Sequence, residues 1–282
     1  LMNKNLLQIH AKSFYWASFF LSKKIFYQCS VLYNFCRTLD DIVDSEKQLE
    51  IRKKEFSNFK NDFLDKNLNN QIVKEMWDLI NSQNISKIII LDLFDGVETD
   101  LKKSLKINSK KDLLVYSYRV AGTVGLMMSK ILNVKNDEAL LGAIDLGIAM
   151  QLTNIARDVV EDKKRNREYI NHDFSSIKQT ILEAENFYNI SFKAIKSIPI
   201  RSRFSVIVAR RIYRKIGHHI IKRENIENYN KSGKIFVPTY GKIIESFLSI
   251  IDFFTLLFHQ NKKYNNENHE LLSKEINLNE RI

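Results

Sequence analysis

Two acidic clusters have the spacing to hold a hard metal ion. They are Asp40-Asp41-Ile42-Val43-Asp44 and Asn154-Ile155-Ala156-Arg157-Asp158-Val159-Val160-Glu161-Asp162. Each lies in a stretch that reads as helix, where residues four apart share a face. Asp40 and Asp44 therefore project together, and so do Asn154, Asp158 and Asp162. Like charges at this spacing destabilise an isolated helix, so an external cation is expected to compensate them. Oxygen ligands on one face, completed by water and substrate phosphate, suit Mg²⁺. Upstream of the first pair, Tyr33 and Arg37 continue the stripe at spacings of four and three. The forked guanidinium of Arg37 could hold the carboxylates or reach a phosphate. Asp41 points about 100° away from Asp40. On the second face Gln151 precedes Asn154 by three residues, and Arg157, Lys163, Lys164, Arg165 and Arg167 add positive charge. A solvated acidic helix end, or salt bridges along an exposed helix, would explain either cluster alone. Two copies in one chain favour the metal.

The elements that must position these groups read as helices. Among 282 residues there are Pro 2 and Gly 8, too few turn residues for a sandwich or a large sheet. Helical stretches are expected from Ser13 to Leu21, Lys24 to Ser45, within Lys47 to Asn84, Ile85 to Lys106, Lys111 to Leu132 and Glu138 to Asp162. Others run from Ser176 to Ser197 and from Arg201 to Asn225, parted by Pro199. Lys231-Ser232-Gly233-Lys234 reads as a loop and Pro238 precedes a last helix. With no fixed-period repeat and no linker, the expectation is a single all-α domain over 1–282, with a polar, loosely docked tail from about residue 261. Gly122 and Gly125 interrupt an apolar helical pattern at about 1 kcal/mol each against Ala. Either a neighbouring helix or a ligand must then approach the backbone closely.

Charge and apolar content bound the partners. The net charge of +11 is spread along a Lys-, Asn- and Ile-rich chain with no nucleic-acid-binding motif. It favours diphosphate substrates and anionic lipid headgroups, so peripheral membrane-surface contact is expected and nucleic acid is not. Leu1 to His10 has no apolar run flanked by a cleavage site. Cys29 and Cys36 lack metal-type spacing, and the expected setting is the cytoplasm. The run Ile243 to Phe258 is shorter than the ~20 residues of a spanning helix. It reads as a buried terminal helix, or as an interfacial helix lying in a bilayer surface.

Three motifs in register resemble the squalene/phytoene synthase family. They are Tyr33-x-x-Cys36-Arg37-x-x-Asp40-Asp41-x-x-Asp44, Tyr116-x-Tyr118-x-Val120-Ala121-Gly122-Thr123-Val124-Gly125, and Gln151-Leu152-Thr153-Asn154-Ile155-x-Arg157-Asp158-x-x-Glu161-Asp162. The likeness runs from about His10 to Lys242, and the run Val124-Gly125-Leu126-Met127-Met128 and the phrase Leu152-Thr153-Asn154-Ile155-Ala156-Arg157-Asp158 look most like bacterial phytoene synthases. It implies an all-α isoprenoid synthase fold, a helical bundle around a central apolar cavity. It implies that Asp40, Asp44, Asn154, Asp158 and Asp162 hold Mg²⁺, or Mn²⁺, against prenyl diphosphates. Ser13 and Phe14 would help close the diphosphate site, with Tyr33, Arg37, Gln151 and Arg157 around the diphosphates and Tyr116 near the reacting carbons. The implied reaction joins two geranylgeranyl diphosphates head to head into phytoene. The alternatives are a C30 enzyme acting on farnesyl diphosphate, for which alone NADPH would matter, and a non-catalytic scaffold relative. The chain departs from the family at three places. Asn166-Arg167-Glu168-Tyr169-Ile170-Asn171 replaces Gly-Arg-x-Tyr-Leu-Pro, Ala11 replaces a serine, and Lys234 replaces an arginine.

Overall fold

The computed structural model describes residues 11–258 and 267–282; the segment Leu1 to His10 lies outside them. The long helix α8 (Asp137–Lys164) is the most extensively packed helix among the described residues. Its sequence marks both ends. The Asn136 side chain accepts from Ala139 N at 2.9 Å, acids occupy the first turn, and Lys163 and Lys164 close the last. Among the described residues it is the one helix long and apolar enough to cross a membrane, yet most of its apolar window is buried, as a core helix requires.

Before α8 come α1 (Lys12–Ser18), α2 (Lys23–Asp44), α3 (Leu49–Leu64), α4 (Gln71–Gln83), α5 (Lys87–Glu98), α6 (Lys110–Ser117) and α7 (Thr123–Ile131). After it come α9 (Phe174–Ala194), α10 (Ile200–Ile221), α11 (Ile226–Lys231), α12 (Thr239–Phe258) and α13 (Asn268–Leu272). The all-α expectation holds. Phe35, Phe56, Phe59, Phe63 and Phe94 meet ring to ring among α2, α3 and α5, so much of the aromatic content is ordinary core. Cys29 and Cys36 are free, the first buried and the second half-buried.

Two stretches read as continuous helix are interrupted where the site needs them to be. Residues 85–106 leave the helix at Glu98, make a 3₁₀ turn over Thr99–Leu101 and end in β1 (Leu105–Lys106). This strand pairs in parallel with β2 (Arg167–Glu168). The stretch 111–132 contains a π-helical turn at Tyr118–Gly122 between α6 and α7, a wider turn often found at functional sites. The glycines serve helix packing. A Cβ on Gly125 would lie 2.2 Å from the Ala143 carbonyl oxygen, and one on Gly147 2.2 Å from that of Ala121.

Two expectations for the C-terminal part are corrected. The tail is not loosely docked where it is described. Leu272, Ile276 and Leu278 are buried, Arg281 binds Asp92 at 2.8 Å, and His269 meets the buried Asp145 at 2.7 Å. Its few apolar residues are spaced to insert while the polar ones stay outside. Nor is α12 simply buried. Of its residues only Glu245, Ser249 and Leu256 are buried, and most of its large apolar side chains are exposed.

Candidate active site

A cavity of about 980 Å³ opens between α2 and α8. Every residue expected at a site lines it: Ser13, Phe14, Tyr33, Arg37, Asp40, Asp44, Tyr116, Gln151, Asn154, Arg157, Asp158 and Asp162. The wall is less apolar than expected. Phe14, Val97, Val120 and Ile155 contribute to it, but charged and polar groups predominate.

The first acidic stripe ends α2, where the helix dipole disfavours acids. Cations from elsewhere compensate. Arg52 donates to the Val43 carbonyl at 2.7 Å, and Arg167 reaches Asp44 at 2.7 Å. Asp41, off the stripe, pairs with Arg37 at 2.5 Å. On α8, Arg157 makes a two-point contact with Asp158. Lys234 reaches across from the loop before α12 to Glu161 at 2.9 Å and Asp158 at 3.7 Å. The lysine that replaces the family arginine thus still delivers charge to this face, though without a fork. α1 packs on α10, with the Ser205 hydroxyl donating to the Ala17 carbonyl at 2.9 Å and Phe14 against Tyr213. This sets Ser13 and Phe14 at the cavity wall.

Sequence reasoning missed the group that joins the two faces. Tyr169 donates to Asp100 Oδ1 at 2.6 Å and Tyr116 to Asp100 Oδ2 at 2.9 Å, with the two rings stacked at 4.7 Å. Arg167 donates to the Asp100 carbonyl at 3.4 Å while it holds Asp44. The strand pair places Arg167 and Tyr169, and the 3₁₀ turn places Asp100. Asn166, just before the second strand of this clamp, sits at φ 57°. The left-handed region is one that Asn tolerates better than other non-glycine residues, so the Gly-to-Asn departure preserves the backbone. No helical spacing announces Asp100. A clue was available in Tyr169, which survives within the divergent motif.

The cations offset the negative charge of the two faces only in part. Asp40 is pushed up to about 7 by burial and by neighbouring Asp44, against Arg37. It remains exposed to the cavity, so cavity water softens the burial contribution and the repulsion by Asp44 is the firmer cause. Asp162 is likewise pushed up to about 7 by burial and by Asp158. Burial raises Asp100 as well, opposed by Arg167 and the two phenols. Burial beside Asp100 also holds the Tyr116 phenol well above its ordinary range, which makes it a donor and not a base.

This donor set fits a hard divalent cation. The oxygens are of the right chemistry, the raised carboxyls would be relieved by positive charge, and Asn154 Oδ1 is buried with no hydrogen-bond partner. Among the described residues no three acidic, His or Cys side chains converge closely enough to hold a metal alone. A cation held here would need phosphate or water oxygens to complete its shell. Arg37 and Arg167 line the cavity, where guanidinium groups can donate to an anion.

Comparison with known proteins agrees with this geometry. The family described as squalene/phytoene synthase matches residues 7–175. The 15-cis-phytoene synthase of Pantoea ananas is 27% identical over 250 residues, covering 75% of this chain and 79% of that protein. That of Paracoccus sp. (strain N81106 / MBIC 01143) is 35% identical over 150 residues, covering 47% and 49%. Among solved structures, a dehydrosqualene synthase in complex with ligand superposes with a TM-score of 0.74 at 25% identity, covering 89% of this chain and 94% of that one. A squalene synthase from Alicyclobacillus acidocaldarius superposes at 0.66 and 17% identity, covering 79% and 92%.

Proposed function

The chain belongs to the squalene/phytoene synthase family and is a prenyltransferase; from that premise we propose that it condenses two geranylgeranyl diphosphates head to head into phytoene. The observation that carries the proposal is one cavity in which two acidic helix faces, the cations Arg37, Arg157 and Lys234, and a stacked tyrosine pair all meet. The likeness to phytoene synthases over three quarters of the chain supports the C40 product.

In this reading Asp40, Asp44, Asn154, Asp158 and Asp162 would hold Mg²⁺, or Mn²⁺, which when bound supplies charge opposite to that developing on a departing diphosphate. The chain's own cations act on the same oxygens. Arg37, on the α2 stripe, and Lys234, at the cavity wall, bind and orient the diphosphates. The first ionisation breaks the C1–O bond of one substrate. The double bond of the second substrate then attacks the allylic cation, and loss of a proton closes a cyclopropylcarbinyl diphosphate. The second ionisation releases its diphosphate, the cation rearranges, and a second proton is lost to give a conjugated triene. Two substrates minus two diphosphates and two protons account for phytoene, so no reductant is required. Squalene would need a hydride in place of the second proton loss, and hence NADPH. Tyr116, protonated and stacked on Tyr169, offers a π-face to cationic carbon. It cannot take the proton, and the released diphosphate is the available acceptor. Apolar wall residues such as Val97, Val120 and Ile155 exclude water from the cations.

A second reading, a C30 enzyme using farnesyl diphosphate, is favoured by the structural likeness to a dehydrosqualene synthase. Purified protein with Mg²⁺ and either geranylgeranyl or farnesyl diphosphate, with and without NADPH, separates them. A C40 triene independent of NADPH is expected. A C30 hydrocarbon would move the assignment to the farnesyl branch, and no turnover by folded protein would sink both. The proposal extends to a cytoplasmic enzyme in peripheral contact with a membrane, supported by the net charge of +11 and by the oily character of the substrates.

A further inference from the structure

Helix α12 is amphipathic in the wrong sense for a protein in water. Its acids face inward. Glu245, buried, accepts from Arg211 at 2.9 Å and pairs with Lys215 at 3.2 Å, and Asp252 pairs with Arg211 at 2.9 Å. Its apolar side chains face outward. Ile244, Phe247, Ile251, Phe254 and Phe258 are 52%, 69%, 62%, 54% and 85% exposed, and their spacings of three, four, three and four put them in one stripe. A solvated surface helix shows the reverse arrangement. The two acids of this helix are satisfied inside the protein, so they do not oppose lipid on the outer face. The stripe is also widened. Trp16 donates to Ser246 at 3.0 Å, and this contact sets the end of α1, with Phe19 62% exposed, beside α12. An apolar face of this extent marks an interaction surface.

We infer that the outer face of α12, with Phe19, docks flat on an anionic lipid bilayer. Two observations select lipid over a second copy of the chain. First, the surface is flanked by charge of one sign. Lys12 and Lys242 lie together at the cavity wall, and among the described residues neither has an acidic partner within ion-pair distance. In a chain of net charge +11, a second copy would bring like charges together. Anionic headgroups would neutralise them. Second, the face adjoins the cavity mouth: Phe236, 70% exposed, lines the cavity together with Pro238, Thr239 and Lys242 where α12 begins. A bilayer under α12 then lies at the opening through which prenyl chains would enter. This last point rests on the proposed function. The docking surface deepens the membrane contact proposed above, and it is measured without turnover, so its failure is distinguishable from failure of the catalytic proposal.

The experiment is sedimentation of the full chain with phosphatidylcholine vesicles, with and without phosphatidylglycerol. Wild type is expected to bind the anionic vesicles, and less so at high salt. The variant Phe247→Ser, Ile251→Ser, Phe254→Ser is expected to bind at least about tenfold more weakly, with unchanged helix content and unchanged turnover of detergent-dispersed substrate. Phe254→Ser alone serves if the triple variant does not fold, with a smaller loss expected. Unchanged vesicle binding by a folded variant would overturn the inference. So would light scattering that shows a lipid-free dimer for wild type and a monomer for the variant, because the face would then belong to a second copy.

Discussion

Replacing Asp100 by Asn tests whether the carboxylate that ties Tyr116, Tyr169 and Arg167 together works in the reaction or only in folding. The change keeps the shape and one acceptor oxygen, and it removes the charge. Tyr169 at 2.6 Å and Tyr116 at 2.9 Å are both on Asp100, so one phenol keeps a neutral acceptor and the other must turn to its neighbour at 3.0 Å. Hydrogen bonds to charged groups are worth about 1.5–3 kcal/mol and neutral ones about 1, so up to about 2 kcal/mol of positional restraint on the tyrosines is lost. Opposing this, burial already raises Asp100. The site disfavours the ionised form, and the neutral amide relieves that cost. The two nearly cancel in folding, and the unfolding midpoint is expected within a few degrees of wild type. They do not cancel in catalysis. A loosened Tyr116, with Arg167 shifted on Asp44, should cost about 10- to 100-fold in kcat, as loss of an outer partner commonly does, or ~1.4–2.7 kcal/mol. Steady-state turnover and thermal unfolding on the same preparation decide it. A folded variant whose kcat stays within about threefold of wild type, against the tenfold that ~1.4 kcal/mol commands, would refute the reasoning.

Other outcomes follow from the same structure. Asp40→Ala and Asp158→Ala should each abolish turnover with helix content near wild type by circular dichroism; normal turnover would remove that residue from the metal site. Gly147→Ala gains ~1 kcal/mol of helix propensity but sets a Cβ 2.2 Å from the Ala121 carbonyl oxygen. Overpacking of ~1–3 kcal/mol should win and lower the unfolding temperature, and a variant as stable as wild type would contradict the close approach of the helices. Asp40 and Asp162, raised to about 7, exceed the unfolded carboxyl value of ~3.9. The folded state therefore takes up protons first, and metal-free protein should gain stability as pH falls from 8 through 7. Mg²⁺, which favours the ionised pairs, should stabilise most at the upper end. Melting curves unaffected by pH and Mg²⁺ alike would count against shared acidic sites.

How far the sequence alone reaches depends on the range of the interaction that places each group. Helical content, the course of α2 and α8, and the two stripes they carry were legible because residues three and four apart share a face whatever the helix packs against. All twelve expected site residues line one cavity: the stripes on α2 and α8 are local, whereas Ser13, Phe14 and Tyr116 were named on the family resemblance, and packing brings the helices together. Asp100 was not legible. Its partners Tyr116, Tyr169 and Arg167 lie 16 to 69 residues away, and only the 3₁₀ turn and the short parallel strand pair bring them within reach. The π-helical turn and the docked C-terminal segment belong to the same class, set by packing between distant elements. For α12 composition spoke clearly of an apolar helix, but not of which face is apolar. That was decided by Arg211 and Lys215 on a neighbouring helix, which draw the acids inward because a buried carboxylate needs a cation, and so leave the apolar side to the outside.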